Sequence, residues 1–350
     1  MKNNKTKIII IALIAIILVA GIIAAITLTG KDEETEVNGA GKVENNNNEE
    51  LKELQIVDAN SKSRPYAVMI NNNHAAWPQC GLKDAYLVYE IIVEGGITRM
   101  LAIYKDQDTA KIGSVRSARH YFIDYALEND AIFVHWGGSP QAYSRIYSGI
   151  DNLDGIALEG SVFFRDKSLN RDYEHTGFTS MENVKEYAED KGYTRDTNKD
   201  LLLNYSADEI DMASLEGAEI ANNVDIEYSD YHSTNYVYDA ENKVYKRSMS
   251  GKANVDLETG EQYTTKNIII YKVRNYTLND GENKGRQELD NIGAGDGYLV
   301  TGGYKLPIKW EKESEGAQTV YTYTNGEEIK VNDGNTFIQI CPTDAEIEIN

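Results

Sequence analysis

Three arginines, Arg99, Arg116 and Arg119, fall within 21 residues of an otherwise acidic chain, with His120 adjacent and Glu90 and Glu94 just upstream. Arg165 and Arg171 follow later. The planar guanidinium fork pairs bidentately with carboxylate or phosphate. A pocket drawing on Glu90, Glu94, Arg99, Arg116, Ser117, Arg119 and Arg165 would hold an anionic group, such as a phosphate, a uronic or muramic carboxylate, or a peptide C-terminus. The same residues also fit an internal Glu–Arg network that keeps strands and helices in register and binds nothing.

The string HWGGSP at 135–140 offers a second set. A strand ending at Trp136, two glycines and a helix opening at Ser139 would leave backbone N–H groups and a positive dipole end pointing outward. Gly137, Gly138 and Ser139 then form a cradle for an anion. It is not a nucleophile elbow, because Gln141 stands where that motif needs glycine. The five histidines form no H-E-x-x-H or other helical metal pair, so no metal and no cofactor is expected. His135 and His175 are the candidates for general acid/base work beside a carboxylate, with Ser117 or Ser139 as hydroxyl partners.

These residues sit on strand-like and helix-like runs. Segments 66–71, 86–93, 99–104 and 131–136 are rich in Val, Ile, Tyr and Phe, as buried strands are. Segments 116–129 and 140–147 read as helices, the second with Ser139 as N-cap and Pro140 in the first turn. Thr179 with Glu182 predicts a capping box, and Gly192 closes the helix that follows. From 222 onward the pattern is β: Asn325-Gly326 marks a hairpin, Asp239 to Asn242 another, and turns account for Gly293-x-Gly295-x-Gly297.

Residues 8–28 are an unbroken apolar run without charge, long enough to cross a hydrocarbon core of about 30 Å. Lys2, Lys5 and Lys7 precede it and Asp32, Glu33 and Glu34 follow. The positive-inside rule places residues 1–7 in the cytoplasm and everything after the run outside it. The run is longer than a signal-peptide core and lacks a small-x-small cleavage site, so an uncleaved single-pass anchor is expected. Residues 29–62 are acidic and Asn-rich, a disordered tether spanning about 30 Å. The net charge of −21 argues against nucleic-acid binding. Cys80 and Cys341 carry no spacing signal and read as buried free thiols.

The strings RPYAVMINN, EGGITR, KIGSVRSARHYFIDYA and AIFVHWGGSPQA, taken in this order, resemble the YerB-like family of bacterial lipoproteins. GRQELDNIGAGDGYLVTGGYKLPIKWEK and NGEEIKVNDGNTFIQI resemble its companion C-terminal domain. Family members often carry a lipobox cysteine, which this chain replaces with the apolar run. The resemblance implies an envelope compartment and a paired-domain architecture, and no established catalysis. The expected fold is α+β, with a mixed α/β domain over 63–215 and a mostly-β domain over 222–350. The expected function is binding of an anionic envelope glycan, peptide or partner protein. The alternative is a cell-wall polymer hydrolase or transferase using His135 or His175.

Overall fold

The computed structural model describes residues 53–350. The run at 8–28 and most of the expected tether lie outside the described residues. Among the described residues, no helix is long and apolar enough to cross a membrane. Residues 53–62, expected as the end of the tether, are instead packed on the fold. Val57 is buried in the core, Asp333 accepts from the Gln55 and Ile56 amides at 2.7 and 3.1 Å, and Lys105 Nζ donates to the Ser61 and Ser63 carbonyls.

Leu51–Asn350 is one compact unit built on an 11-stranded sheet. Its strands run in the order Glu219–Ile220, Tyr304–Lys312, Gly293–Thr301, Asn267–Val273, Thr336–Pro342, Leu87–Ile92, Thr98–Tyr104, Tyr66–Asn71, Ile132–His135 and Asn152–Asp154, with Val320–Tyr323 alongside Tyr304–Lys312. Alternate residues feed two cores, as the period of two requires. Met69, Tyr89, Leu101, Phe133, Tyr271 and Ile340 face one side, where they meet Tyr121, Phe122 and Tyr125 of helix His120–Glu128. Val68, Val88, Met100, Val134, Ile270 and Phe337 face the other. That side is covered by helix Met181–Asp190 and by Tyr236, Tyr245 and Ile226 of a second, 6-stranded sheet. The fold is mixed α/β and rich in strands.

The late strand Thr336–Pro342 enters the middle of the large sheet, parallel to both Leu87–Ile92 and Asn267–Val273. Two buried carboxylates flank this seam. Glu90 accepts from Arg247 Nη2 at 2.7 Å, His232 Nε2 at 3.0 Å, Thr98 Oγ1 at 2.7 Å and Asn72 Nδ2 at 3.0 Å. Burial opposes its ionisation, but the Arg247 charge and the His232 and Thr98 hydrogen bonds outweigh that and hold it well below the usual carboxylate range. On the opposite face, Glu128 accepts from Lys312 Nζ at 2.7 Å, Tyr89 Oη at 2.6 Å and Thr319 Oγ1 at 2.7 Å.

Several expected boundaries move, each for a hydrogen-bonding reason. The helix expected from 116 begins at His120, because Arg116 to Ala118 pair as an extended strip. The Arg116 amide donates to Met69 O, the Trp136 amide to Arg116 O and the Ala118 amide to Gly137 O. The cap of helix Met181–Asp190 is Ser180, which accepts from Asn183 N at 3.2 Å, whereas Thr179 Oγ1 donates to Val162 O. Gly293-x-Gly295-x-Gly297 lies within a strand rather than in turns, since a side chain at Gly295 would strike Trp310. Cys80 and Cys341 are buried and unbridged, and burial pushes both thiols up to about 12.

Glu90→Gln leaves Arg247 buried without its counter-charge and should lower the free energy of urea unfolding by about 3–5 kcal/mol at pH 7. The ordinary glutamate value is about 4.3, so with a depressed native pKa the contribution is complete above that pH and fades below it. The variant should therefore show a flatter acid limb. A loss no larger than that of an ordinary surface substitution, about 0.5 kcal/mol, would contradict the assignment.

Candidate functional site

Strands Ile132–His135 and Asn152–Asp154 run parallel, joined by helix Pro140–Ile146 in a crossover of the βαβ kind. In open α/β sheets, ligands settle outside the carboxyl ends of such strands. Here those ends open into a cleft of about 490 Å³, floored by Val115, Arg116, Ser117, Gly137 and Gly138. Its walls are Trp136, Tyr143, Ile156, Arg165, Tyr173 and Glu174.

The Arg165 guanidinium carbon stands 4.0 Å from the Trp136 ring centroid and 3.9 Å from that of Tyr173, a cation held between two π faces. Arg165 Nη1 donates to Tyr173 O at 2.7 Å, and Nε reaches Glu159 at 3.3 Å. Across the cleft, Arg116 Nη2 donates to Glu174 Oε2 at 2.6 Å. That guanidinium holds the Glu174 carboxyl below its usual range, although Glu174 is more than half exposed. Trp136 itself sits between two glycines: a Cβ at Gly155 or Gly177 would lie 2.5–2.6 Å from the indole. Its Nε1–H is buried and has no hydrogen-bond partner.

Of the residues singled out in the sequence, Arg116, Ser117, Gly137, Gly138 and Arg165 share this cleft. Glu90 does not; it serves the seam with Arg247. Glu94 takes Arg119 bidentately at 2.5 and 2.9 Å, with Arg99 Nη2 3.8 Å away. The internal Glu–Arg network is therefore real for these three. It also supports the cleft, since Arg99 Nη1 donates to Ser117 O at 2.5 Å. Burial and the neighbouring Arg119 pull Arg99 down to about 9.

The expected backbone cradle is largely occupied. Asp154 Oδ1 accepts the Gly137 amide at 2.8 Å, the Ser139 amide donates to Ala118 O, and Ser139 Oγ caps Ala142 N at 3.1 Å. Neither histidine candidate lines the cleft. His135 is fully buried, with Nδ1 2.8 Å from Gly137 O and Nε2 facing Asn152. His175 is nearly as buried; Asn71 Nδ2 lies 2.9 Å from its Nδ1, and Glu174 Oε1 lies 3.5 Å from Nε2. Burial lowers both imidazole pKa values, so both are neutral near pH 7. The nearby carboxylate of Asp166 is spent on Lys111 at 2.8 Å. Among the described residues, no group of three or more His, Cys, Asp and Glu side chains could hold a metal ion.

Sequence reasoning missed Val115, Trp136, Tyr143, Ile156, Tyr173 and Glu174. Their signal was an aromatic excess around two glycines and the Glu174-His175-Thr176 string.

Family models for the N-terminal and C-terminal domains of a protein of unknown function, DUF3048, match residues 53–194 and 224–338. The chain belongs to this family. It is 34% identical over 286 residues to the "Putative lipoprotein YerB" of Bacillus subtilis (strain 168), covering 81% of this chain and 82% of that protein. A crystal structure of YerB protein from Bacillus subtilis superposes with a TM-score of 0.70 at 32% identity, covering 82% of this chain and 94% of that one. The cleft residues all fall within the N-terminal DUF3048 segment.

Gly177→Ala should displace the Trp136 indole, lower stability by about 1–3 kcal/mol in urea unfolding and increase acrylamide quenching of Trp136 fluorescence. Unchanged stability and quenching would show that the indole is not seated as described.

Proposed function

We propose that this DUF3048 chain is a membrane-anchored, extracytoplasmic envelope protein that binds an anionic ligand in the Arg116–Arg165 cleft. The relative named a lipoprotein supports the compartment, as does the apolar run at 8–28 with its basic leading flank. The reading rests on one observation above all: Arg165 is clamped between Trp136 and Tyr173 beside a second arginine, in a protein of net charge −21. A structural arginine in so acidic a chain would find carboxylates enough. This one meets a single carboxylate, Glu159, at 3.3 Å through Nε; it lies between two aromatic faces, and its Nη2 makes no hydrogen bond among the described residues. The locally positive field would draw an anion against the overall repulsion.

Two clefts at least as large, of about 490 and 520 Å³, lack this combination. One is lined by Leu201, Leu202, Leu203 and Tyr321. In the other, beside Ile270 and Ile349, Lys272 and Lys305 are spent on the Ala345 and Ile349 carbonyls. The hydrolase or transferase alternative gains nothing from the geometry, because His135 and His175 do not line the cleft and neither is hydrogen-bonded to the Ser117 hydroxyl.

Calorimetric titration of the full-length chain with an acidic monosaccharide such as galacturonate should give saturable heat. Arg116→Ala and Arg165→Ala should each weaken it about tenfold or more. Glu174→Gln should tighten it, because the internal carboxylate competes for Arg116. Binding unaffected by all three variants would remove the cleft from the account.

A further inference from the structure

The cleft does not end at Tyr143. Tyr147, one helical turn on, stacks on the Tyr143 ring with centroids 5.6 Å apart and planes 21° apart. It is 80% exposed, and Ile156 on the facing wall is 67% exposed. With Tyr173, 65% exposed on the same cleft, they form contiguous rather than scattered exposed apolar surface, which marks a contact site. Tyr143 is fixed from below, its hydroxyl donating to Asp154 Oδ2 at 2.7 Å, so the stacked pair has a rigid base. The result is a ledge of two tyrosine rings leading away from the arginines.

Building on the anionic-ligand reading above, we infer that the cleft takes an acidic oligosaccharide rather than an isolated anion, with its acidic group on Arg116 in place of Glu174 and a following sugar on the Tyr143–Tyr147 ledge. Three features favour this chemistry. Pyranose rings present flat faces of polarised C–H groups, which complement the negative face of an aromatic ring. A lone phosphate or carboxylate has no surface for the ledge to cover. The Arg165 guanidinium, backed by Trp136 and Tyr173 and with Nη2 making no hydrogen bond among the described residues, is matched by a carbohydrate rich in acceptor oxygens. A peptide would more readily use main-chain pairing along an open strand edge, whereas the cleft is walled by side chains and the end of a short helix.

Titration of the full-length chain with galacturonate oligomers of one to four units tests this. Neutral maltooligosaccharides of equal length and a triglutamate peptide serve as comparisons. Affinity should rise about tenfold from one unit to two or three, in proportion to one added stacking contact. Tyr147→Ala should abolish that gain while leaving the single-unit affinity within about twofold, and Tyr147→Phe should retain it. Because Tyr147 is so exposed, neither variant should disturb folding, which thermal unfolding verifies.

No gain with length, or a gain that survives Tyr147→Ala, would overturn the inference. So would triglutamate binding as tightly as the uronate trimer, which would assign the site to acidic peptides. Phosphodiester-linked glycerol oligomers that bind without length dependence would make Arg116 a plain anion site and overturn it too. In each of these cases, single-unit binding that still depends on Arg116 leaves the anionic-ligand reading standing. Loss of all acidic-ligand binding removes both.

Discussion

The parallel pairing of Leu87–Ile92 with Thr336–Pro342 is the constraint on which the rest depends. It joins an early strand to one that arrives some 250 residues later and makes one sheet from the two family segments. Long-range parallel pairing has a large loop-closure cost. Burial of both faces of the central strands offsets it, each large apolar side chain contributing about 1.5–3 kcal/mol. Glu90 and Glu128 mark the same seam from its two faces, each neutralised by a cation from the later segment, Arg247 or Lys312. Such pairs add little over an apolar packing, but they penalise any other register heavily, because a slipped strand would bury a lone charge.

A rigid sheet is what a shallow ligand site needs. The cleft residues come from six separate stretches of chain between Val115 and Glu174, brought together at the carboxyl ends of two parallel strands. Asp154 organises the rim: its carboxylate takes the Gly137 and Ile156 amides and the Tyr143 hydroxyl. Behind the rim, Arg99 and Arg119 are bound to Glu94 and to the Ser117 and Ala118 carbonyls, fixing the strip on which Arg116 is carried. Charge that looked functional in the sequence is thus divided between scaffolding and display. Arg99 and Arg119 hold the loop in place; Arg116 and Arg165 line the cleft.

Much of the fold was legible. The strand expected at 66–71 forms with those bounds, and three more form within two residues of theirs, because continuous Val, Ile and Tyr runs have no other way to be buried in so short a span. The Ser139 cap was legible because its hydroxyl acts on a neighbour three residues away. Long-range partners were not. Nothing around Glu90 announces that its counter-ion is Arg247, and Glu94 looked the same as Glu90 while serving a different network. The merging of strands from both segments into one sheet was hidden for the same reason. In the cleft, arginine spacing located Arg116 and Arg165 but said nothing of Trp136, whose seating depends on Gly155 and Gly177 being small.

The three indole N–H groups, of Trp77, Trp136 and Trp310, give well-separated probes of where a ligand settles. Trp136 lines the proposed cleft, Trp77 donates to Asn72 Oδ1 near the Glu90 network, and the Trp310 ring lies 4.8 Å from that of Tyr271. Nitrogen-15 correlation spectra of the labelled chain, titrated with uronate trisaccharide and assigned with a Trp136→Phe variant, report on all three at once. The account predicts a saturable shift of the Trp136 indole resonance with the other two unmoved. Saturable binding that leaves Trp136 in place, or that moves Trp310 instead, would contradict it.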